Sequence, residues 1–478
     1  MIFPMKHYDL VVIGAGSGGL IAAEYAARLG ASVALVERSE LLGGDCLNNG
    51  CVPSKALIHA SKTFYKARYA ENFGTTTYPE LDFSKVKKSI KAAQERIRSI
   101  RDNDEYYQRL GVDIYHSHAR FVSTRKIKTG NGQEIEGRHF IISTGSKPRI
   151  PEIPGLTKTN FYTNETIFDI KDLPRRLAVI GGGVIGSEIA SAFSQLGSEV
   201  TLFERYGHLS LRVDKDIAEF VQERFTQRGM SVRTKSDIES VSKTKKGIKI
   251  NYKIKDKEFS QYVDAIFVST GRLPNIELGL DNAGISYNER GIEIDDYGRT
   301  SNKRVWAVGD VTGKAGFTHV AQQQAFYAAL HAVFGYRQKV SLKTLPYVIF
   351  TSPEVAHVGK TIKELQDANI DHKVHVLDYT ELDRALIEDK GGLVQVTTNK
   401  KDQLLGATMV GSHASEQIGQ YVVAMNEDLR MKDLAEAMLP YPTYAMASKI
   451  LAFDHILEKK LASSHVRRAI SAAKAFRR

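Results

Sequence analysis

The sequence predicts an α/β protein built around two copies of one βαβ unit. Residues 11–38 (VVIGAGSGGLIAAEYAARLGASVALVER) and 178–205 (AVIGGGVIGSEIASAFSQLGSEVTLFER) align without a gap. Each runs from an apolar β-strand through a glycine-rich turn and a helix of small residues to a second apolar strand that ends in Glu-Arg. At roughly 150 residues per domain, the 478 residues of the chain predict about three domains.

The glycine-rich turns have the spacing of a dinucleotide cradle, in which each glycine has its own role. The first makes the tight turn, the second lets the backbone approach a pyrophosphate, and the third lets the helix pack against the strand. The helix N-terminus then offers free N–H groups to the phosphates. The glycines in these roles are Gly14, Gly16 and Gly19 in the first unit and Gly181, Gly183 and Gly186 in the second. Two such units predict two bound dinucleotides, a hydride carrier and a second redox cofactor.

A glutamate ends each unit where a carboxylate can bind the ribose hydroxyls of a dinucleotide, Glu37 in the first and Glu204 in the second. Because a carboxylate repels a 2′-phosphate, Glu204 favours NADH over NADPH. Arg205 follows it directly and favours the 2′-phosphate instead, so we expect NADH with NADPH as the alternative.

The two cysteines of the chain, Cys46 and Cys51, lie together in the segment GGDCLNNGCVPSK. As structural residues they would be small buried hydrophobes. A spacing of five residues points them to different sides of a regular helix, but the intervening Asn-Asn-Gly can distort the first turn and bring them within bridging distance. In a reducing compartment a short-loop disulfide is more often catalytic than structural, and a nearby helix start favours the thiolate.

This segment closely resembles the redox-active motif of the pyridine nucleotide-disulfide oxidoreductases, the class I flavoproteins that include dihydrolipoamide dehydrogenase, glutathione reductase and mercuric reductase. The resemblance extends over nearly the whole chain. It includes two connecting turns (STGSKP and STGRLPN), the second flavin motif (VWAVGD) and the opening of a dimerisation domain (FTSPEVAHVG), at residues 143–148, 269–275, 305–310 and 350–359.

The resemblance implies FAD on the first unit, NAD(P)H on the second, and a homodimer whose active sites combine residues of both subunits. It implies that Cys51 lies against the flavin as the charge-transfer thiolate and that Cys46 is the interchange thiol that meets the substrate. It places Lys55 near the reactive flavin nitrogen, paired with Glu188, and implies that Asp310 binds the flavin ribitol. The further cofactor-binding positions are Ser17, Arg38, Gly44, Ala119, Thr144, Gly145, Gly271 and Thr318.

The C-terminal part departs from dihydrolipoamide dehydrogenase and glutathione reductase, which carry a His-Pro-x-x-x-Glu acid–base pair. Here PYPTYAMAS at residues 440–448 has Tyr441 in place of the histidine and Met446 in place of the glutamate. A phenol with a pKa of about 10 is a poor base at neutral pH, although it can donate a hydrogen bond to a thiolate. Tyr441 is therefore either a catalytic group or a packed interface side chain, and His413 and His455 are the other candidate proton donors.

A tyrosine at this position is reminiscent of mercuric reductase, in which a metal replaces the disulfide and no proton relay is needed. Mercuric reductase also carries a further cysteine pair near its C-terminus, which this sequence does not have. We therefore expect electrons to pass from NAD(P)H through FAD and a Cys46–Cys51 disulfide to a disulfide, a metal ion or a small oxidant. The alternatives are a dihydrolipoamide dehydrogenase with another proton donor and a flavin-binding scaffold without turnover.

The resemblance also predicts the domain boundaries. It gives a split FAD domain (1–150 and 272–344), an NAD(P) domain inserted in it (151–271) and an α+β dimerisation domain (345–478).

Composition and charge limit the remaining classes of function. The net charge is +11, and no apolar run reaches the about 18 residues of a membrane helix. The N-terminus does not have the pattern of a signal peptide, so we expect a cytoplasmic protein. No RNA-binding motif or zinc spacing is present, and we predict neither nucleic acid nor a metal site. The segment from Leu461 to Arg478 has no acidic residue; we expect a solvated helix end there, with weak contact to anionic lipid, nucleic acid or a partner as the alternative.

Overall fold

The computed structural model describes residues 6–76, 78–314 and 316–476. The first five residues and the end of the basic tail, Arg477 and Arg478, lie outside the described residues. No helix among those described is long and apolar enough to cross a membrane.

The described part of the chain divides into two compact units. The first comprises the described residues of Met1–Arg205 and Ser236–Val340, and the second those of Tyr206–Lys235 and Ser341–Arg478.

A mainly parallel sheet forms the first core of the first unit. Its parallel strands are, in spatial order, Val112–His116, Val33–Glu37, Lys6–Ile13 and Glu134–Ile142, the last of which also pairs with Val305–Ala307. Two antiparallel strands, Lys126–Thr129 and Ala119–Ser123, follow Glu134–Ile142 along the sheet. Apolar residues cover both faces, with Val11 and Ile13 in one cluster and Leu10 and Val12 in the other, which explains the unbroken apolar run.

The second βαβ unit is inserted into this sheet, because the chain leaves the sheet after Ile142 and returns to it at Val305. The insert has a parallel sheet with the strands Glu199–Phe203, Arg176–Ile180, Ala265–Val268 and Phe161–Tyr162 in that order. It also has an antiparallel sheet of Ser236–Thr244, Gly247–Ile254 and Lys257–Val263. The two predicted connecting turns pair with each other as the antiparallel strands Ser146–Pro148 and Arg272–Pro274. A short hairpin joins Tyr287–Asn288 to Gly291–Ile292.

Helices cover the sheets of the first unit. The α-helices are Ser17–Arg28, Gly44–Asn48, Cys51–Arg68, Phe83–Ile100, Asp104–Arg109, Val184–Leu196 and Thr318–Phe334. Short 3₁₀ turns occupy Ala70–Phe73, Leu156–Lys158, Ile167–Asp169, Leu280–Ala283 and Gly309–Thr312.

The two glycine-rich turns are equivalent in atomic detail. Gly14 and Gly181 have φ angles of +97° and +105°, in the left-handed region that favours glycine. A Cβ at Gly14 would lie 2.5 Å from the carbonyl oxygen of Ser143, and one at Gly181 2.5 Å from that of Ser269. At the third glycine of each unit a Cβ would lie 1.8 and 1.9 Å from the carbonyl oxygen of the first. Each turn thus packs against the first residue of the connecting motif that follows it, and only glycine fits.

The second unit is α+β, as the sequence predicts. Its antiparallel sheet has the order Pro346–Ile349, Glu354–Gly359, Leu404–Gly411, Leu393–Thr398 and Lys373–Asp378. Its α-helices are Lys215–Gln227, Ile362–Asp367, Asp383–Glu388, Ala414–Asn426, Met431–Glu436, Met446–Ala462 and Ser464–Phe476, with a 3₁₀ turn at Tyr379–Glu381 and a short strand at Ser231–Arg233. Buried residues of one face of the sheet and of the helices Ala414–Asn426 and Met446–Ala462 form a single cluster.

Candidate active site

The segment that carries the two cysteines, residues 43–55, lies directly against the first glycine-rich turn. Gly43 and Gly44 have φ angles of +100° and +55°, and a Cβ at Gly44 would lie 2.5 Å from the Cα of Gly16. We expected a distorted first turn between the cysteines; instead they lie on separate helices. Cys46 is in the short helix Gly44–Asn48, and Cys51 begins the helix Cys51–Arg68.

Both sulfur atoms meet at one hydroxyl group. Thr318, the first residue of the helix Thr318–Phe334, donates a hydrogen bond from Oγ1 to Cys46 Sγ, and the distance is 3.4 Å. Cys51 Sγ lies 3.4 Å from the same oxygen, and the structure describes both cysteines as free thiols. Cys46 is half-buried and Cys51 is exposed. The sequence assigned Thr318 only to the cofactor, whereas the structure places its hydroxyl between the two thiols.

These contacts shift the pKa values of the two thiols in opposite directions. The hydrogen bond from Cys51, aided by those from Thr318 and Ser17, lowers the pKa of Cys46 to about 6 against the opposing effect of burial. The same bond between the sulfurs raises the pKa of Cys51 above its ordinary value. At neutral pH the pair therefore holds one proton, on Cys51, and Cys46 is the thiolate. The resemblance implied that Cys51 is the charge-transfer thiolate, whereas the hydrogen bonds in this structure favour the thiolate on Cys46.

Lys55 and Glu188 form an ion pair between the helix Cys51–Arg68 and the helix Val184–Leu196 of the second βαβ unit. Lys55 lies one helical turn beyond Cys51, and its Nζ donates to Glu188 Oε2 at 2.8 Å. The carboxylate side chain is 6% exposed and the lysine side chain 35% exposed. This is the pairing that the resemblance implied. It places a compensated positive charge beside the thiol pair, on the helix that Cys51 begins.

The two predicted ribose-binding carboxylates occupy equivalent positions. Glu37 Oε2 accepts a hydrogen bond from the N–H of Ala15 at 2.6 Å, and Glu204 Oε2 accepts one from the N–H of Gly182 at 3.0 Å. Each is buried and holds the residue that follows the first glycine of its turn. Each glycine-rich turn is therefore held by a carboxylate of its own βαβ unit.

The first turn has room for a phosphate. The nearest atoms to a Cβ at Gly16 would be 3.9 Å away, so the protein's own packing does not require glycine there. Gly16 is also the N-cap of the helix Ser17–Arg28, and no side chain caps that helix. A close-approach glycine beside free helical N–H groups is the arrangement that a dinucleotide pyrophosphate needs. The residues present thus fit FAD at the first unit.

The other predicted cofactor-binding residues of the first unit lie around the connecting turns and the first sheet. Thr144 Oγ1 donates to the carbonyl oxygen of Asn275 at 2.8 Å, and Gly145 accepts from the N–H of that asparagine at 3.0 Å. Gly271 accepts from the N–H of Arg149 at 2.9 Å. Ala119 is buried at the start of its strand, and Arg38 is exposed.

Arg205 and Asp310 are each engaged by a neighbouring side chain. Arg205 Nε lies 3.2 Å from Asp237 Oδ1, in an exposed ion pair. Asp310 Oδ2 accepts a hydrogen bond from Ser146 Oγ at 2.6 Å. The partner of Arg205 is therefore an acid, which adds negative charge where a 2′-phosphate would have to bind.

Sequence reasoning missed Arg272, which links the segment that carries the two cysteines to the second flavin motif. Its guanidinium lies 3.2 Å from Asp45 and 3.8 Å from Asp310, and it donates to Asn164 Oδ1 and Ser146 at 3.1 and 2.7 Å. Burial raises the pKa of Asp45, the residue before Cys46, while Arg272 opposes this shift. The signal was present in the motif STGRLPN, where an arginine follows the glycine.

The predicted C-terminal groups lie in the second unit. Tyr441 is 69% exposed, and its hydroxyl donates to Asp383 Oδ2 at 2.8 Å, which raises the pKa of the phenol. Asp383 was not predicted. His455 pairs with Asp402 at 3.1 Å.

The other two positions named from the sequence, His413 and Met446, lie at the starts of helices in this unit. His413 is the N-cap residue of the helix Ala414–Asn426, and Met446 begins the helix Met446–Ala462. Among the described residues, no three His, Cys, Asp or Glu side chains are placed to share a metal ion.

Two family models match the chain. The model described as pyridine nucleotide-disulphide oxidoreductase matches residues 8–325, and the model of the dimerisation domain of the same family matches residues 345–451.

Relatives of two activities are equally similar in sequence. Mercuric reductase of Staphylococcus aureus is 33% identical over 459 residues, which cover 95% of this chain and 83% of that protein. Dihydrolipoyl dehydrogenase of Chlamydia pneumoniae is 33% identical over 470 residues, which cover 95% of this chain and 98% of that protein.

A solved structure matches nearly the whole fold. The Cu(II) complex of the HOCl-induced flavoprotein disulfide reductase RclA from Escherichia coli matches with a TM-score of 0.83 at 27% identity. The match covers 94% of this chain and 99% of that one.

Proposed function

This chain belongs to the pyridine nucleotide-disulphide oxidoreductases, enzymes that contain FAD and use NAD(P)H, and from that membership we propose that its Cys46–Cys51 pair reduces an external acceptor. The acceptor is a disulfide, a metal ion or a small oxidant. The observation that carries the proposal is the meeting of both sulfurs at the hydroxyl of Thr318, at 3.4 Å each. Such a pair can exchange a proton and close a bond without moving the flanking helices far.

The thiols have separate roles in this reaction. FAD, when bound, supplies the two-electron chemistry between NAD(P)H and the disulfide. The Cys46 thiolate attacks a disulfide acceptor and forms a mixed disulfide, releasing the first thiolate. Cys51 then gives its proton to that leaving group and attacks Cys46 Sγ, which releases the second thiolate and restores the Cys46–Cys51 disulfide. A thiophilic metal ion would bind the same two sulfurs.

The surrounding residues orient this centre. Thr318 holds the Cys46 thiolate, and Lys55, paired with Glu188, places a positive charge on the helix that Cys51 begins. Glu37 and Glu204 hold the glycine-rich turns in shape for two dinucleotides.

The role of Tyr441 follows from its hydrogen bond to Asp383. Because the phenol donates a hydrogen bond to that carboxylate and its pKa is raised, it stays neutral and cannot act as the base of a lipoamide-type cycle. Its oxygen can still accept a hydrogen bond or bind a metal ion. This favours acceptors that need no proton relay. That RclA was solved as a Cu(II) complex supports metal ions as one such class.

The second candidate is a dihydrolipoamide dehydrogenase. It is favoured by the length of the match, because this chain spans 98% of the Chlamydia pneumoniae relative and only 83% of the Staphylococcus aureus mercuric reductase.

We also propose a cytoplasmic homodimer. The chain carries the family's dimerisation domain at residues 345–451, and NAD(P)H is a cytoplasmic reductant. Light scattering after size exclusion should give twice the mass of 53.1 kDa.

The test is anaerobic oxidation of NADH by the holoenzyme with lipoamide, Cu(II) or Hg(II) as acceptor. We expect turnover with at least one metal ion and little with lipoamide. Cys46→Ser should abolish acceptor reduction while the flavin is still reduced by NADH, and Ser39→Ala is the control outside the centre. Acceptor turnover that survives Cys46→Ser would refute the proposed path, and fast turnover of lipoamide would favour the second candidate.

A further inference from the structure

The C-terminal helix Ser464–Phe476 is a segment that the redox reaction does not use. It follows the helix Met446–Ala462 after a one-residue break, and none of its described side chains, up to Ala473, is buried. The break is held by Arg467, whose Nε and Nη2 donate to the last carbonyl groups of the preceding helix at 3.1 and 2.8 Å. The described side chains of the helix are exposed, except that of Val466, which is half-buried.

Apolar residues lie along one face of this helix. Val466, Ile470 and Ala473 are four and three residues apart, which places them on the same side of an α-helix. Ile470 is 41% exposed and Ala473 is exposed, whereas Val466 is half-buried, so this face is open within the chain around Ile470. Arg467 and Arg468 follow Val466 directly and point away from it, because successive side chains turn by about 100° around the axis. The helix is amphipathic with a basic polar face.

The charged side chains at the C-terminal end of the chain are all basic. From residue 459 to the end there is no acidic residue. The basic residues from residue 460 onward are Lys460, Arg467, Arg468, Lys474, Arg477 and Arg478. An open apolar face between basic side chains is the pattern of helices that lie in the plane of an anionic membrane surface.

We propose that the C-terminal helix docks this protein on an anionic phospholipid surface, with Ile470 and Ala473 at the acyl boundary and Arg468 among the headgroups. Two other occupants fit less well. Nucleic acid would attract the arginines but would leave the apolar face uncovered. A second copy of the chain would bring the same basic helix to a symmetric contact, and the dimerisation-domain match already ends at residue 451.

The test is flotation of the full-length holoenzyme with vesicles. We expect it to bind vesicles of equal parts phosphatidylglycerol and phosphatidylcholine, and not vesicles of phosphatidylcholine alone, with binding that falls as salt rises. Arg468→Glu should weaken partitioning about 25-fold, which is about fivefold for each of two charge steps. Ile470→Glu should weaken it by about tenfold or more, because it removes an apolar contact and adds a repelled charge.

The controls match these variants in exposure and charge. Val122→Glu changes a side chain that is 43% exposed on the first unit, and Lys245→Glu reverses an exposed charge there. Both should bind vesicles like the wild type, and all four variants should keep NADH-driven turnover in solution. Equal binding to both vesicle types, no binding at all, or equal loss in the controls would overturn the proposal. So would a loss of mass in Ile470→Glu by light scattering, which would mean that a second copy covers the face.

Discussion

Replacing Thr318 with valine is expected to raise the pKa of Cys46, because valine keeps the shape of threonine and removes the hydroxyl that donates to the thiolate. A hydrogen bond to a charged group contributes about 1.5–3 kcal/mol. At about 1.4 kcal/mol per pKa unit, its loss moves the pKa of Cys46 from about 6 to about 7–8. The thiolate fraction at pH 7 then falls from about 90% to between about 50% and about 10%.

The assay is alkylation by iodoacetamide between pH 4.5 and 9, with the modified cysteine identified by peptide mapping. It uses reduced protein freed of FAD, so that an effect of Thr318 on the cofactor does not enter. The midpoint of the pH profile is the quantity to compare, since a thiolate of higher pKa is also intrinsically more nucleophilic and the absolute rates partly compensate. Circular dichroism checks that each protein remains folded.

Thr318→Ser is the matched control, because it keeps the hydroxyl and should keep the midpoint of the wild type. Ser17→Ala removes a second hydroxyl hydrogen bond to Cys46 and should shift the midpoint in the same direction. A Thr318→Val midpoint within about 0.3 pH units of the wild type would refute the reasoning, which predicts at least about one unit. So would faster alkylation of Cys51 than of Cys46 in the wild type.

Three further outcomes are expected. Glu188→Gln removes the carboxylate that pairs with Lys55 and should lower the free energy of unfolding by about 2 kcal/mol in urea titration. The loss is smaller than for a fully buried pair because the lysine is partly exposed. A double variant that also replaces Lys55 with methionine should recover stability, and failure to do so would argue against the pair. Arg272→Gln removes the cation shared by two carboxylates and should weaken FAD retention about tenfold by fluorescence titration, whereas Arg175→Gln, an exposed arginine, should not. Glu204→Ser should move the ratio of kcat/KM for NADH over NADPH toward NADPH by about tenfold or more, and an unchanged ratio would exclude this carboxylate as the discriminating group.

The local patterns of the sequence were enough for the two cofactor units. Glycine spacing and the Glu-Arg ends predicted two turns whose first glycines agree in φ, because the backbone of each turn is determined by residues close in sequence. The α+β character of the second unit followed from the family resemblance. The contact of Lys55 with Glu188, 133 residues apart, also came from the resemblance and not from spacing.

The contacts that the sequence did not reveal join distant segments. Arg272 reaches Asp45 only because the two connecting turns pair and return the chain to the first sheet. Thr318 reaches both sulfurs for the same reason, and Asp383 meets Tyr441 across 58 residues. Neither a motif nor a periodicity indicates which residue each of these side chains contacts, so their partners follow only from the closed fold.

The distance along the chain between the thiols and Thr318 also affects synthesis. Cys51 and Thr318 are 267 residues apart, so at about 5–20 residues per second a ribosome needs about 13–53 s to deliver the threonine after the cysteine. During that time the nascent thiols lack the hydroxyl that later holds Cys46 as a thiolate. A chain with many cysteines would be open to wrong pairings in this interval. Since Cys46 and Cys51 are the two cysteines of the chain, the one disulfide that can form within it during synthesis is the one that the proposed reaction uses.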